Sequence, residues 1–158
     1  MDANKRIEAR RLKLGLSEKQ IAKAIGMSLD SYCDIESHAD ELCTVVELRW
    51  VKQLSQMLSI ETFELLSVQC SFCNDDTAYL EEYRLPRNEL IKITRQEAGF
   101  TQKELGEHAN FHDYAIEGME RDHDYLERST VDSITDLVKA LTIPFQILSS
   151  TKCPKCSR

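Results

Sequence analysis

The chain has 158 residues, of which 42% are hydrophobic, so it can form one ordinary domain or two small ones and is too apolar for a disordered protein. Its formal net charge is −7, which counts against nucleic-acid binding, because most duplex-binding modules are basic. No apolar run reaches membrane-spanning length and the N-terminus lacks a signal-type apolar segment, so we expect a cytoplasmic protein without membrane contact.

The first elements in the chain are short helices with clear start and stop signals. A helix is predicted from about Asn4 to Leu14, and Gly15 ends it. Ser17 can cap a second helix, and Gln20, three residues later, completes a capping box. These signals indicate two consecutive helices joined by a tight turn.

The first half continues with a third helix from about Leu29 to Ser37, capped by Ser28. A polar link from His38 to Cys43 follows, and apolar spacing then predicts a helix from Val45 to Leu58. A short apolar helix around Phe63 closes the half.

The second half repeats this order. Pro86 begins a helix that runs to about Ala98, and Thr101 with Glu104 forms a second capping box. A third helix is predicted from His112 to Arg121. Further elements are a fourth helix capped by Ser129 or Thr130 and an apolar closing helix over residues 143–148. Strand-like alternation is absent from the sequence, so we predict an all-α protein.

The two halves are an internal repeat. Residues 15–26 and 99–110 have the same pattern 84 positions apart, and each half ends in a Cys-x-x-Cys pair. We predict two tandem units of about five helices, packed with pseudo-two-fold symmetry. Their bounds are residues 1–73 and 86–158, with a linker at 74–85.

The paired cysteines indicate a metal site. In a reducing compartment, two short-spaced pairs are more typical of zinc than of disulfides. If the ends of both units meet, Cys70, Cys73, Cys153 and Cys156 supply the four ligands of one structural zinc per chain. Redox-active pairs and thiols without any ligand remain as alternatives. Cys33 and Cys43 lack a close partner in sequence and are expected to be buried or idle thiols.

These elements resemble the lambda-repressor-like helix-turn-helix domain of the XRE regulator family. The matching residues of the first half are Arg11, Gly15, Leu16, Ser17, Ile21, Ala22, Glu36, Leu54, Leu58, Leu65 and Leu66. Those of the second half are Arg95, Gly99, Phe100, Thr101, Gln102, Leu105, Glu120, Leu137, Leu141, Ile147 and Leu148. The resemblance implies structural pairs between Arg11 and Glu36 and between Arg95 and Glu120.

The resemblance also implies a DNA-binding transcriptional regulator. Two units in one chain would replace the usual homodimer and read two half-sites on double-stranded DNA. The expected DNA contacts are Ser28, Ser31, Tyr32, Gln102, Lys103, His112 and Tyr114.

An alternative function follows from the chemistry of the third helices. Their early positions lack Arg, Lys, Gln and Asn, the side chains that most often read bases, and carry four carboxylates instead. These are Asp30, Asp34, Asp113 and Glu117. They suit a protein-binding module that neutralises a basic partner such as a toxin, as a monomer or homodimer. No phosphate-binding loop or nucleophile motif is present, so we expect a protein that is not an enzyme.

Overall fold

The computed structural model describes residues 2–74 and 81–156, called here the first half and the second half. The fold is all-helical, with 69% helix and without strands in these two ranges, which confirms the predicted all-α class. Half of the predicted linker at 74–85, residues 75–80, lies outside the described residues. Its described part contains one turn of 3-10 helix, Glu81–Arg84.

Seven α-helices form the first half. They are α1 (Ala3–Lys13), α2 (Glu18–Ile25), α3 (Leu29–Ser37), α4 (Glu41–Thr44), α5 (Leu48–Leu58), α6 (Thr62–Leu66) and α7 (Ser71–Asn74).

Five α-helices and a turn of 3-10 helix at Tyr125–Arg128 form the rest of the second half. The α-helices are α8 (Arg87–Glu97), α9 (Gln102–His108), α10 (Asp113–Arg121), α11 (Val131–Leu141) and α12 (Phe145–Ser149). None of the helices in the described ranges combines the length and apolar character needed to cross a bilayer.

Both predicted capping boxes are present. The amide of Gln20 donates to Ser17 Oγ at 3.2 Å, and the amide of Ser17 donates to Gln20 Oε1 at 2.7 Å. Thr101 and Glu104 make the same two bonds at 3.1 and 2.7 Å. Each box satisfies amides that lack partners in the first turn of a helix, which fixes the start of α2 and α9.

The link predicted from His38 to Cys43 is wrong in part, because it contains α4. Leu42 on this helix is fully buried, and this burial anchors the turn. The helix predicted from Val45 begins only at Leu48. Extended backbone precedes it, where Glu47 forms an isolated antiparallel bridge with Thr130.

The basic side chains of α1 bond to the ends of other helices. Arg6 Nη2 donates to the carbonyl of Leu65 at 3.0 Å, and Arg10 Nε donates to the carbonyl of Leu58 at 2.8 Å. These carbonyls end α6 and α5 and lack helical partners. The guanidinium groups therefore join α1 to the two helices that lead toward the first cysteine pair.

The two halves share one hydrophobic core. Across it, α4 packs on α11 and α5 packs on the 3-10 turn at Tyr125–Arg128. The amide of Leu48 donates to the carbonyl of Ser129 at 2.8 Å, and the rings of Phe63 and Phe145 meet edge to face at 6.3 Å. This packing brings the C-terminal ends of the halves to the same region.

Candidate metal centre and third-helix surfaces

The structure brings the four predicted metal ligands together. Cys70 immediately precedes α7, and Cys73 lies within it. Cys153 and Cys156 lie in the segment after α12. The four sulfur atoms all lie within 4.8 Å of one another. The halves thus contribute two sulfurs each to one cluster.

The sulfur spacing fits a metal better than a disulfide. The Sγ atoms of Cys70 and Cys156 are 3.7 Å apart, and those of Cys73 and Cys153 are 3.5 Å apart. A tetrahedral zinc with Zn–S bonds of about 2.3 Å holds its sulfurs about 3.8 Å apart. A disulfide requires about 2.05 Å. The four thiols are accordingly free, at the spacing of a tetrahedral centre.

Backbone amides turn toward one sulfur of each pair. The amides of Phe72 and Cys73 donate to the Cys70 sulfur, and those of Lys155 and Cys156 donate to the Cys153 sulfur. Hydrogen bonds of this kind stabilise thiolates, the form of cysteine that binds metal. Both Cys-x-x-Cys segments therefore have the local geometry of a metal-binding turn.

The four thiols differ in acidity. Burial raises the pKa of Cys153, but amide and thiol donors outweigh burial and lower that pKa to about 6. Hydrogen bonds to Cys153 and Cys156 raise the pKa of Cys73 to about 12. Burial, followed by hydrogen bonds to Cys153 and Cys156, raises the pKa of Cys70. Without metal, Cys153 is thus the first of these three to ionise, and its neighbours donate to it.

Gln146 is a polar contact of the centre that the sequence analysis missed. Its Nε2 donates to the Cys70 sulfur at 3.4 Å, and the residue is only 2% exposed. Within the described ranges, its Oε1 is buried without a hydrogen-bond partner. The available signal was one amide side chain inside the apolar closing segment between Phe145 and Ile147.

A groove opens beside the sulfur cluster. It has a volume of about 440 Å³, and Arg6 and Lys155 contribute cationic side chains to its wall. Cys70, Cys73 and Cys153 all line the groove, but Cys73 is exposed and Cys70 and Cys153 are only 6% and 3% exposed. Solvent therefore reaches the four-sulfur centre most readily at Cys73.

The structural pair expected in the first half is present. Arg11 donates to both carboxylate oxygens of Glu36 at 2.7 Å. Tyr32 is fully buried, and its hydroxyl donates to Glu36 at 2.5 Å. The expectation that Tyr32 contacts DNA is therefore corrected, because its side chain lies in the core and its polar atom is used.

The second pair is also present and includes one expected DNA contact. Arg95 donates to both carboxylate oxygens of Glu120. Gln102 Nε2 donates to Glu120 at 2.9 Å. Lys103 is exposed, and its Nζ lies 3.9 Å from Glu107 Oε1. Gln102 is thus partly buried and tied to the end of α10 by a hydrogen bond within its own half.

The remaining third-helix residues lie at the surface. Ser28 Oγ accepts from the amide of Ser31, which caps α3. The rings of His112 and Tyr114 stack at 5.1 Å, and Tyr114 is 65% exposed. All four carboxylates of the alternative interpretation are exposed: Asp30, Asp34, Asp113 and Glu117. Each third helix thus presents two carboxylates to solvent.

A cleft lies between α3 and α5 in the first half. Its volume is about 360 Å³, and its walls include Trp50, Val45 and the carboxylates of Asp34, Glu41 and Glu47. Val45 is 60% exposed. The guanidinium of Arg49 lies 5.0 Å from the centre of the Trp50 ring and is paired with Glu47. The cleft therefore combines an apolar wall with an acidic rim.

Comparisons of the chain with protein-family models, with curated proteins and with solved structures give no match. The functional argument accordingly depends on the geometry and chemistry of these two surfaces.

Proposed function

We propose that this chain is a zinc-linked tandem helix-turn-helix protein that binds a basic protein partner and is not an enzyme. One observation carries the choice of partner. On α3, and on the first two turns of α10, the charged side chains that face solvent are all carboxylates. Such surfaces repel phosphates and attract Lys and Arg side chains.

The zinc part of the proposal is supported by the four-sulfur cluster. Four cysteine ligands in a closed tetrahedral arrangement are typical of structural zinc. Because each half supplies two ligands, the ion would hold two small helical units in one arrangement. Metal analysis of the purified chain tests this directly: one zinc per chain is expected, and a metal-free, fully folded protein would contradict it.

Pseudo-two-fold symmetry is part of the same proposal, and reciprocal contacts support it. Cys70 and Cys153 are equivalent positions of the repeat, as are Cys73 and Cys156. Cys70 lies 3.7 Å from Cys156 and Cys73 lies 3.5 Å from Cys153, so these two contacts join non-equivalent positions reciprocally, as in an isologous interface. Equivalent cysteines are 83 positions apart in the sequence. Glu47 and Thr130, which form the isolated bridge between the halves, are separated by the same 83 positions.

The cleft beside α3 fits the partner chemistry. A Lys or Arg side chain entering it would meet carboxylates on the rim, including Asp34 and Glu41, and the ring of Trp50 in the wall. Arg49 already makes this type of contact with Trp50 and Glu47 within the chain. Cation–π and carboxylate contacts together favour a guanidinium over a neutral side chain.

Binding measurements with two ligands test the proposed class of partner. One is an arginine-rich peptide, and the other is a duplex DNA whose negative charge equals the peptide's positive charge in magnitude. We expect the peptide to bind and the duplex to remain unbound even at low salt. The double variant Asp113→Asn, Glu117→Gln should weaken peptide binding. Its matched control, Glu89→Gln with Glu97→Gln on the exposed side of α8, should not.

A second candidate, a DNA-binding transcriptional regulator, is favoured by the reciprocal contacts. Two helix-turn-helix units related by a two-fold axis would face two half-sites on double-stranded DNA. Its surface contacts would be Ser28, Ser31, Lys103, His112 and Tyr114. Duplex binding that falls steeply with salt, and that persists in the Asp113→Asn, Glu117→Gln variant, would replace the protein-binding proposal with this one.

A further inference from the structure

We propose that Cys73 is a modification site, the sulfur through which peroxides and thiol-specific electrophiles attack the four-sulfur centre. This inference builds on the zinc centre proposed above. It adds which ligand reacts first and what its reaction does to the molecule.

Access to the four sulfurs is unequal. Cys70, Cys73 and Cys153 all line the groove of about 440 Å³, but only Cys73 is exposed, and Cys70 and Cys153 are 6% and 3% exposed. Polar side chains of both charges, Arg6, Glu64 and Lys155, line the same groove. A small polar oxidant or electrophile can therefore enter from solvent and meet Cys73 first.

Hydrogen bonding protects the two buried sulfurs. Cys70 accepts from two amides and from Gln146, and Cys153 accepts from two amides. Donors directed at a thiolate stabilise its negative charge and reduce its nucleophilicity. When zinc is bound, all four sulfurs are thiolates, so access and hydrogen bonding decide which one reacts.

The oxidation step balances with hydrogen peroxide or an organic hydroperoxide as the oxidant. The Cys73 thiolate attacks the peroxide, an S–O bond forms as the O–O bond breaks, and hydroxide or alkoxide leaves. The resulting sulfenic acid lies beside Cys153, whose sulfur is 3.5 Å away. Attack by the Cys153 thiolate forms a disulfide and expels hydroxide. Two electrons pass from sulfur to the peroxide, and the two sulfurs joined in the disulfide would no longer be able to hold zinc.

Oxidation of Cys73 and Cys153 would remove the zinc-mediated link between the two halves. A zinc ion with only two cysteine ligands left is bound far more weakly than one with four, because the closed tetrahedral site is gone. Alkylation of Cys73 removes one ligand and has the same direction of effect. Modification at one exposed sulfur would therefore release the ion that joins the two units.

Reaction mapping on the zinc-loaded chain tests the proposal, with Cys33→Ser and Cys43→Ser introduced to remove competing thiols. Zinc is quantified first, so that a metal-free protein counts against the zinc centre rather than against this inference. Limiting iodoacetamide or hydrogen peroxide is then added, and modified peptides and released zinc are followed together. We expect Cys73 to be modified first, in step with zinc release. Earlier modification of Cys70, Cys153 or Cys156 would overturn the proposal.

Two matched ligand variants sharpen the test. Cys73→His and Cys156→His each keep a four-ligand site, because His also binds zinc. With both variants confirmed to hold zinc, peroxide should release it from Cys73→His about tenfold more slowly than from Cys156→His, which keeps the exposed sulfur. Equal release rates would show that Cys73 is not the point of attack.

Discussion

At the scale of single residues, the best-defined interaction is the buried group of Arg11, Tyr32 and Glu36. The carboxylate accepts two bonds from the guanidinium and one from the phenol. The hydrogen bond to Glu36 raises the pKa of Arg11, and burial together with the same carboxylate raises the pKa of Tyr32. Arg11 therefore stays charged and Tyr32 stays neutral at neutral pH.

Replacing Glu36 should be costly because it breaks this pair. Glu36→Gln leaves the buried Arg11 charge without a counter-charge, and we expect a loss of about 3 kcal/mol in the free energy of unfolding. Urea denaturation at pH 7 measures the change. The exposed Glu64→Gln on α6 is the control and should alter stability little. If Glu36→Gln lowers the free energy of unfolding as little as the control does, Glu36 does not stabilise the fold as the counter-charge of Arg11.

The equivalent carboxylate in the second half predicts a pH dependence. Burial raises the pKa of Glu120, but Arg95 and Gln102 outweigh burial and hold that pKa below its usual value. Its contribution to stability is present above the unfolded pKa of about 4.3 and is lost as the pH falls through the folded pKa. The stability difference between wild type and Glu120→Gln should therefore shrink on acidification from pH 7. Denaturation midpoints across this range measure it, and a constant difference would argue against the pairing.

Several of these residue roles were predictable from the sequence. The capping boxes depend on residues three positions apart, and the Arg–Glu pairs followed from the family resemblance. Tyr32 was misassigned although a signal existed, because it lies one helical turn before Glu36 and so on the same inward face. The bond between Gln102 and Glu120 joins two helices, and no local spacing encodes such a contact.

At the scale of elements, α2 and α9 both begin in a capping box, but they differ in the side chain that their inner faces can accommodate. Gly106 on α9 corresponds to Ala22 on α2. A Cβ at Gly106 would lie 2.7 Å from the carbonyl oxygen of Phe111. We expect Gly106→Ala to lower the free energy of unfolding by about 1–2 kcal/mol, despite the higher helix propensity of Ala.

Thermal or urea unfolding checks this expectation. Gly118→Ala on α10 is an informative comparison, since its Cβ would meet the Tyr125 ring rather than backbone. A side chain can rotate away more readily than a backbone carbonyl in a tight turn between two helices can move. If the Gly106→Ala variant is as stable as wild type or more stable, the turn between α9 and α10 can move enough to accommodate the added Cβ.

Helix boundaries show where sequence patterns stop being informative. Apolar spacing alone extended α5 back to Val45, but the chain is extended at Glu47 because it bridges to Thr130. That contact crosses between the halves and appears only once they pack. Periodicity therefore predicted the existence of α5 and not the residue at which it begins.

At the scale of the whole molecule, Glu127 links the two halves by charge. Its Oε1 accepts from Lys52 Nζ at 2.6 Å and from Arg87 Nη1 at 2.9 Å. Burial raises the pKa of Glu127, but Lys52 and Arg87 outweigh burial and lower it. Arg87 is 5% exposed, so removal of this carboxylate leaves a poorly solvated charge.

Glu127→Gln should therefore destabilise the whole chain. We expect a loss of about 2 kcal/mol in the free energy of unfolding, reduced from the value for a deeply buried pair because Lys52 and Glu127 are partly solvated. Denaturation against the exposed Glu107→Gln control measures it. If the two variants were equally stable, the charge contact between the halves would contribute nothing measurable.

Metal removal is the second test at this scale. If zinc joins the halves, chelation should lower the unfolding midpoint by about 10 °C, since it removes a ligand bound only by the folded state. The Cys33→Ser, Cys43→Ser variant is the control and should respond like wild type. An unchanged midpoint after confirmed removal of zinc would leave the cluster without a structural role.

The four ligands were predictable because their pairs recur at the same place in each half. Gln146 was not, since it has no counterpart: the equivalent position in the first half is Phe63. Repetition predicts what both halves share, and it cannot predict a contact that only one of them makes.

The crossed pairing of sulfurs has a consequence for how such a chain could arise. If both halves derive from one ancestor with a single Cys-x-x-Cys pair, that ancestor could complete a four-thiolate centre only by joining a second copy of itself around the ion. Gene duplication and fusion of such a homodimer would yield the observed connectivity without any new metal chemistry. Copies fused in this way would be free to diverge, and the aromatic cleft with Trp50 in one half and the buried amide of Gln146 in the other are differences of the kind that such divergence produces.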